Sequence, residues 1–297
     1  MNTMHLLVFI LIYPHLWVVS KLPRPLFYLL SDIFFIKLFY FFGYRKKVVM
    51  ENLILCFPNK DLKELQLIRR QFYSHLCDLF MEMVKTMNLS KAGVKERYQV
   101  QNIDYLKEVL KTKSVLLVCS HYANWEWNVS INNYISEKGY AVYQKIGNPY
   151  FDAWIKKLRS RWNTTPITQA ETFRTIVQNE KEGIKAVYGM VADQSPPMSK
   201  AKAWGSFMGI NVPVYNGAEV LAQKLDLAVV FLRVKKVKRG LFHATFEPIT
   251  TSGAHTTPGE ITKEFFLKAE SQIKEEPAHY LWTHKRWKHR GKKPTDH

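Results

Sequence analysis

The chain has 297 residues, with 43 Lys+Arg against 25 Asp+Glu and a formal net charge of +18. Hydrophobic residues make up 47% and aromatics 14%, ample material for a sizeable core, which excludes a disordered, collagen-like or disulfide-stapled protein. The positive excess calls for an anionic partner, either nucleic acid or an anionic lipid surface, while Cys56, Cys77 and Cys119 form no CxxC pair and read as buried thiols of a reducing compartment.

The N-terminus favours lipid. Met4–Ser20 is apolar apart from two histidines, a tyrosine and a proline, and after Lys21-Leu-Pro-Arg24-Pro25 a second run, Leu26–Gly43, is rich in Phe and Leu and interrupted by Asp32 and Lys37. A helix needs about 20 apolar residues to span a bilayer, and the first run is marginal. Neither run resembles a cleaved signal peptide, because no basic residue precedes the apolar stretch and no small-residue cleavage site follows. Arg45-Lys46-Lys47 then stands where anionic headgroups attract it. Residues 1–43 therefore read as a membrane anchor, with two forms open: one spanning helix, or one or two segments lying in the interface. The positive-inside tendency puts residues 44–297 on the cytoplasmic face as one domain of catalytic size.

Within that domain, Asn59–Asn88 has helical periodicity (Leu62, Leu65, Ile68, Phe72, Leu76, Leu79, Met83, Met87), with Asp61 as cap. Ser114–Cys119 is a short apolar run of the buried-strand type. A loop over Ser120–Asn124 leads to a helix at Trp125–Ile135 with Asn124 as N-cap. Further strands are expected at Ala141–Lys145, Ala186–Ala192, Ala228–Val234 and His243–Phe246. Helices are expected at Phe151–Arg161, Thr172–Lys181, Ala218–Leu225 and Gly259–Lys274. The alternation predicts an α/β fold whose mixed, largely parallel sheet is flanked by helices.

Open α/β sheets place sites where strands end and helices begin. Cys119-Ser-His-Tyr-Ala-Asn-Trp-Glu-Trp127 is such a junction, with His121 in the loop and Glu126 in the first helical turn. On a continuous helix these two would be about 140° apart; a loop-to-helix bend lets the carboxylate reach the imidazole. A carboxylate-held imidazole makes a general base. The alternative is a satisfied histidine beside an Asn-capped helix. No G-x-S-x-G elbow, HExxH or glycine-rich phosphate loop is present, and His279, His284 and His289 are not spaced to share a helix face. Basic clusters fall at Lys235, Lys236, Lys238 and Arg239, and in the tail from Lys285 to Lys293, where Trp282 and Trp287 interleave.

The residues resemble the late lipid A acyltransferases, lauroyl/myristoyl transferases within the H-x4-D/E acyltransferases, through His121/Glu126 and five further stretches in order. These are Tyr44-Arg-Lys-Lys…Glu51-Asn-Leu…Cys56-Phe-Pro58, Asn148-Pro149…Asp152…Arg159-Ser-Arg161 and Ala192-Asp193-Gln194. Phe207-Met-Gly209…Gly217-Ala218…Leu221-Ala222 and Tyr280-Leu-Trp282-Thr-His284-Lys-Arg286-Trp-Lys288 complete the set. The resemblance implies acyl transfer from an acyl carrier protein thioester to a hydroxyl of a Kdo-bearing lipid A precursor, at the bacterial inner membrane, without a metal or other cofactor and without a covalent enzyme intermediate. By it His121 is the general base and Glu126 its orienting carboxylate. Arg159 stabilises the oxyanion, an effect of about 3–4 kcal/mol for such a donor, or holds Glu126.

Asn124, Arg161, Asp193, Gln194, Arg286 and Lys288 are the implied substrate-binding residues, Arg161 with either of the roles of Arg159 or as a phosphate ligand. The phosphates and carboxylates of the acceptor and the acidic carrier protein account for the basic clusters without nucleic acid. Phe207 and Met208 either line an acyl-chain tunnel or pack the core. Ser195-Pro196-Pro197 departs from the family, many members of which carry a further acidic residue and a glycine there. Two other readings are open: transfer to an amino-acid lipid or mannosylated phosphatidylinositol from acyl-CoA, and a non-enzymatic basic protein anchored at a membrane.

Overall fold

The computed structural model describes residues 3–292; residues 1–2 and 293–297, including Lys293 of the basic tail, lie outside them. Two stretches, Thr3–Lys21 (α1) and Arg24–Ile36 (α2) continued by a π-helical Lys37–Phe42, are long and apolar enough to cross a membrane. Both also lie against the body. Phe9, Tyr13, Leu16 and Val19 of α1 pack on Val84, Trp154, Ile155 and Leu158, while α2 buries Phe27 and Ser31. Their other faces leave Leu7, Leu11, Trp17, Leu29, Ile33 and Phe34 exposed.

Lys46–Cys56 (α3) precedes Leu62–Lys85 (α4), the expected long helix. Its start is fixed by a capping box: Asp61 accepts the Glu64 N–H at 2.8 Å while Glu64 accepts the Asp61 N–H at 3.0 Å. Lys91–Arg97 (α5) and Ile103–Thr112 (α6) follow, with Tyr98–Val100 (β1) between them; the apolar pattern had marked none of the three.

The remaining strands are Val115–Cys119 (β2), Lys138–Tyr143 (β3), Thr164–Thr168 (β4), Ala186–Val191 (β5), Ala203–Phe207 (β6), Ile210–Val214 (β7), Ala228–Lys238 (β8) and Leu241–Thr250 (β9). Six of them join β1 in one seven-stranded sheet in the order β1-β9-β8-β2-β5-β3-β4, with every pairing parallel except β8–β9. The largely parallel α/β architecture is the expected one. Strand β2 is buried at all positions, as a central strand covered on both faces must be. Strand β4, with Pro166 inside it, takes an edge, the place a missing backbone donor permits. β6 and β7 form a separate hairpin whose two turn residues, Met208 and Gly209, both have positive φ.

Helices Pro149–Arg159 (α7), Gln169–Lys181 (α8), Gly217–Leu225 (α9) and Glu260–Glu275 (α10) lie close to their expected positions. One expected α-helix differs: Trp125–Asn133 is a 3-10 helix. Its Trp, Val, Ile, Asn and Ser are weak α-formers, and its polar side chains bond outward, Asn128 to Cys119 and Asn132 to Thr164. Gly139 allows this approach, since a Cβ there would sit 1.8 Å from the Asn132 amide. Phe207 is fully buried and stacks on Trp287, and Met208 donates its N–H to Glu270, so both belong to the core.

Candidate active site

The site follows from the register of two parallel strands. Cys119 at the end of β2 pairs with Val191 at the end of β5, so the chain leaving each strand carries His121 and Asp193 to the same height. His121 Nδ1 and Asp193 Oδ1 are 2.7 Å apart. The carboxylate accepts, so Nδ1 carries the proton and Nε2 keeps its lone pair. Asp193 is 1% exposed, and burial works against its charge; His121 and the Tyr280 hydroxyl outweigh that and hold the carboxyl below its ordinary range. On the open side, the Gln194 amide nitrogen lies 3.3 Å from His121 Nε2, and the Trp125 ring stands edge-on to the imidazole at 5.3 Å.

The carboxylate on the histidine is therefore not the expected Glu126. Glu126 turns away into a bidentate ion pair with Arg159, at 2.6 Å to Nη2 and 3.1 Å to Nε. The 3-10 geometry points its side chain at the end of α7, and among the described residues no hydrogen bond joins it to His121. Of the two roles considered for Arg159, the structure displays the holding of Glu126.

The loop 121–124 is stitched to the C-terminal segment. Leu281 donates its N–H to the His121 carbonyl at 3.0 Å, and Ala123 donates to the His279 carbonyl at 2.9 Å. That segment is gripped by α3: Asn52 Nδ2 donates to the carbonyls of Trp282 and His284 at 2.8 and 2.9 Å, and Arg45 to that of Thr283 at 3.0 Å. His284 is thereby brought beside the pair. Its Nε2 accepts the Ser195 N–H at 3.4 Å, and burial lowers its pKa to about 4, so it is neutral at pH 7. The histidine spacing had set His284 aside; its match to the closing Y-x-W-x-H block was the available signal.

The remaining expected residues separate. Asn124 is fully buried and both ends of its amide are engaged, Oδ1 by the Trp127 N–H at 3.1 Å and Nδ2 by Glu82 at 2.7 Å. It caps the helix as expected, and its burial keeps it from a substrate. Arg161 donates to the carbonyls of Thr86, Met87 and Leu89 at 2.7–2.9 Å and closes the end of α4 instead of facing the site. Arg286 is fully buried, donates to the Pro213 carbonyl at 3.1 Å and lies over the rings of Phe207 and Phe266, out of a ligand's reach. Gln194 stays at the imidazole, and Lys288 is exposed on the tail.

Next to the Trp125 ring, which also meets the His121 imidazole, lies a cavity of about 60 Å³, lined chiefly by Leu117, Cys119, Trp125, Ile131, Tyr140 and Val191. It runs under the 3-10 helix, with Asn132 and Thr164 among its polar walls. It is mostly apolar and holds only a few carbon atoms in this form.

A profile of the family described as bacterial lipid A biosynthesis acyltransferase matches residues 2–289. The chain is 22% identical over 278 residues to a lipid A biosynthesis palmitoleoyltransferase of Escherichia coli K12, covering 93% of this chain and 89% of that protein. Similarity of the same extent relates it to a lipid A biosynthesis acyltransferase of Shigella flexneri.

Proposed function

The chain belongs to the bacterial lipid A biosynthesis acyltransferase family, and from that premise we propose a specific donor, acceptor and base for its reaction. The donor is an acyl carrier protein thioester, and the acceptor is a hydroxyl of a Kdo-bearing lipid A precursor. The pairing of His121 with Asp193 at the ends of β2 and β5 is the observation that carries the reading. His121 Nε2 takes the proton of the acceptor hydroxyl as its oxygen attacks the thioester carbonyl. Asp193 fixes the tautomer and stabilises the imidazolium. Collapse of the tetrahedral species breaks the C–S bond, and the imidazolium returns its proton to the departing thiolate. Ester and thiol are the products, and the enzyme emerges unchanged.

Gln194 sits where the acceptor hydroxyl must approach and moves aside on binding; its amide is then a donor near the developing oxyanion. Glu126 and Arg159 hold the 3-10 helix and α7 together across the site. The acyl chain enters the cavity beside Trp125, which widens to admit it. Residues 1–43 attach the enzyme to the bacterial inner membrane, through the exposed apolar faces of α1 and α2, with residues 44–297 on the cytoplasmic side. Lys285, Lys288, Arg290 and Lys292 are exposed on the tail that leads away from His284, and they suit an acidic carrier protein or acceptor phosphates.

The test offers acyl carrier protein thioesters of several lengths, and acyl-CoA, to a Kdo-lipid A precursor with detergent-purified protein free of host enzyme. The expected outcome is a single acyl mass increment from the carrier-protein donor, abolished by His121→Ala. Turnover unchanged in that variant would overturn the assignment of the base, and transfer from acyl-CoA alone would overturn the donor.

A further inference from the structure

A second polar assembly supports the loop 121–124 from below, and the acyl-transfer scheme leaves it unused. It lies between α2 and α4 under the tip of the β8–β9 hairpin. Tyr28 Oη donates to Glu82 Oε1 at 2.9 Å, and Glu82 Oε2 accepts from Asn124 Nδ2 at 2.7 Å. Glu82 is 0% exposed. Burial, with the nearby Asp78 adding to it, pushes its carboxyl up to about 7, against the pull of Lys236 and the two donors.

A parallel path runs from Ser31, which donates to Asp78 at 2.8 Å, through Lys236, 3.5 Å from Asp78 and 3.2 Å from His75 Nδ1. The lysine donates, so His75 Nε2 carries the proton and bonds the Ala123 carbonyl at 3.2 Å. Ala123 needs that restraint, because its φ of 49° lies in the left-handed region. The hairpin tip locks the upper end. Arg239 pairs with both Asp78 and Asp32 and lies 4.5 Å over the Tyr28 ring. At Gly240 a Cβ would stand 2.1 Å from Tyr28 Oη, so the turn is built around that hydroxyl.

Sealing this many ionisable groups in a core is costly, and apolar residues of similar volume would pack there at no such cost. Both paths run from α2 to the loop that bears His121. We propose that Glu82, with Tyr28 of α2 as its second hydrogen-bond partner, is a positioning residue for acyl transfer: α2 packs against the brace of the catalytic loop formed by Glu82 and Asn124 as well as carrying an apolar outer face. The proposal rests on the reading of His121 as the base. Without Glu82, Asn124 loses one of its two anchors, the cap on the 3-10 helix loosens and His121 drifts from its position against Asp193. Binding of donor and acceptor is untouched, so the loss falls on kcat.

The chemistry of the pair supplies a sharp test. In Glu82→Gln the amide oxygen still accepts from Asn124, and its NH2 donates to Tyr28 Oη, which turns to accept. That variant recovers most of kcat. Glu82→Ala loses about 10- to 100-fold in kcat, the scale of a displacement near 1 Å, with acceptor KM within about twofold. Tyr28→Phe loses little by itself, because Glu82 keeps Asn124, but Tyr28→Phe/Glu82→Gln leaves a buried amide N–H without an acceptor and loses more than the two singles combined.

If Glu82→Ala does not fold, the double variant against its singles decides, with thermal unfolding followed in each. A Glu82→Ala enzyme with wild-type kcat, a loss confined to KM, or simple additivity in the double variant would overturn the positioning role. His121→Ala is run beside them. If it stays active the base assignment falls instead, whereas an inactive His121→Ala with a flat Glu82 series removes the positioning role alone.

Discussion

Two polar assemblies meet at the loop 121–124, and they differ in what they leave open. At the strand ends, His121 is tied through Nδ1 to a buried carboxylate while Nε2 faces the Gln194 amide. Beneath the loop, both oxygens of Glu82 and both nitrogens of His75 are engaged inside the protein. In the proposed reaction the first arrangement keeps His121 Nε2 for the acceptor hydroxyl, while the second holds the loop in place. Similar residue types serve opposite purposes because of which atoms remain unpaired.

The comparison breaks most clearly at Asp193. An asparagine offers one oxygen to two donors, the His121 Nδ1–H and the Tyr280 hydroxyl, so Asp193→Asn is expected to lower kcat by about 10³–10⁴ in the transfer assay. Next comes the Glu126–Arg159 pair, whose side chains are 13% and 23% exposed. Arg159→Ala strands a mostly buried carboxylate and is expected to cost about 3–5 kcal/mol of stability by denaturant unfolding. Because the pair braces the site, Glu126→Gln/Arg159→Met should regain part of the activity lost in Glu126→Gln; if Glu126 oriented His121 directly, removing Arg159 would regain nothing.

The sealed histidines predict a pH effect. Burial, aided by Lys236, lowers His279 to about 3 and drives His75 well below its ordinary value, and burial lowers His284 to about 4. Unfolding therefore takes up their protons below about pH 6.5, and stability falls as pH drops. Glu82 acts with opposite sign, its stabilising contribution being lost as pH rises toward 7. Three histidines against one carboxylate leave about two protons, or up to about 2–3 kcal/mol per pH unit near pH 5–6, read from melting curves. The smallest effect is at the surface. Lys285→Ala/Lys288→Ala should raise KM for the anionic substrate only a few-fold, with an effect that vanishes in high salt.

Much of this arrangement was legible in the sequence. The buried run ending at Cys119 placed His121 at a strand end, Asp61 marked the start of α4, and the alternation of elements predicted a parallel sheet. The partner of His121 was not legible, because it depends on the pairing of β2 with β5, whose loops lie 72 residues apart. Proximity in sequence favoured Glu126, and the 3-10 turn swings that side chain toward Arg159. The β6–β7 hairpin escaped because its turn uses Met208-Gly209 in place of the Asn-Gly or Asp-Gly that usually signals it. In α2, Tyr28, Ser31 and Asp32 share one helical face within an apolar stretch, a pattern that marks contact with protein.

The most direct test of the His121–Asp193 pairing is the 15N NMR spectrum of histidine-labelled protein, with His121 assigned from the His121→Ala difference. At neutral pH the His121 Nδ1 should carry the proton, in wild type and in Glu126→Gln alike, and Asp193→Asn should disturb that tautomer. A tautomer that survives Asp193→Asn but is lost in Glu126→Gln would contradict the account and return the orienting role to Glu126.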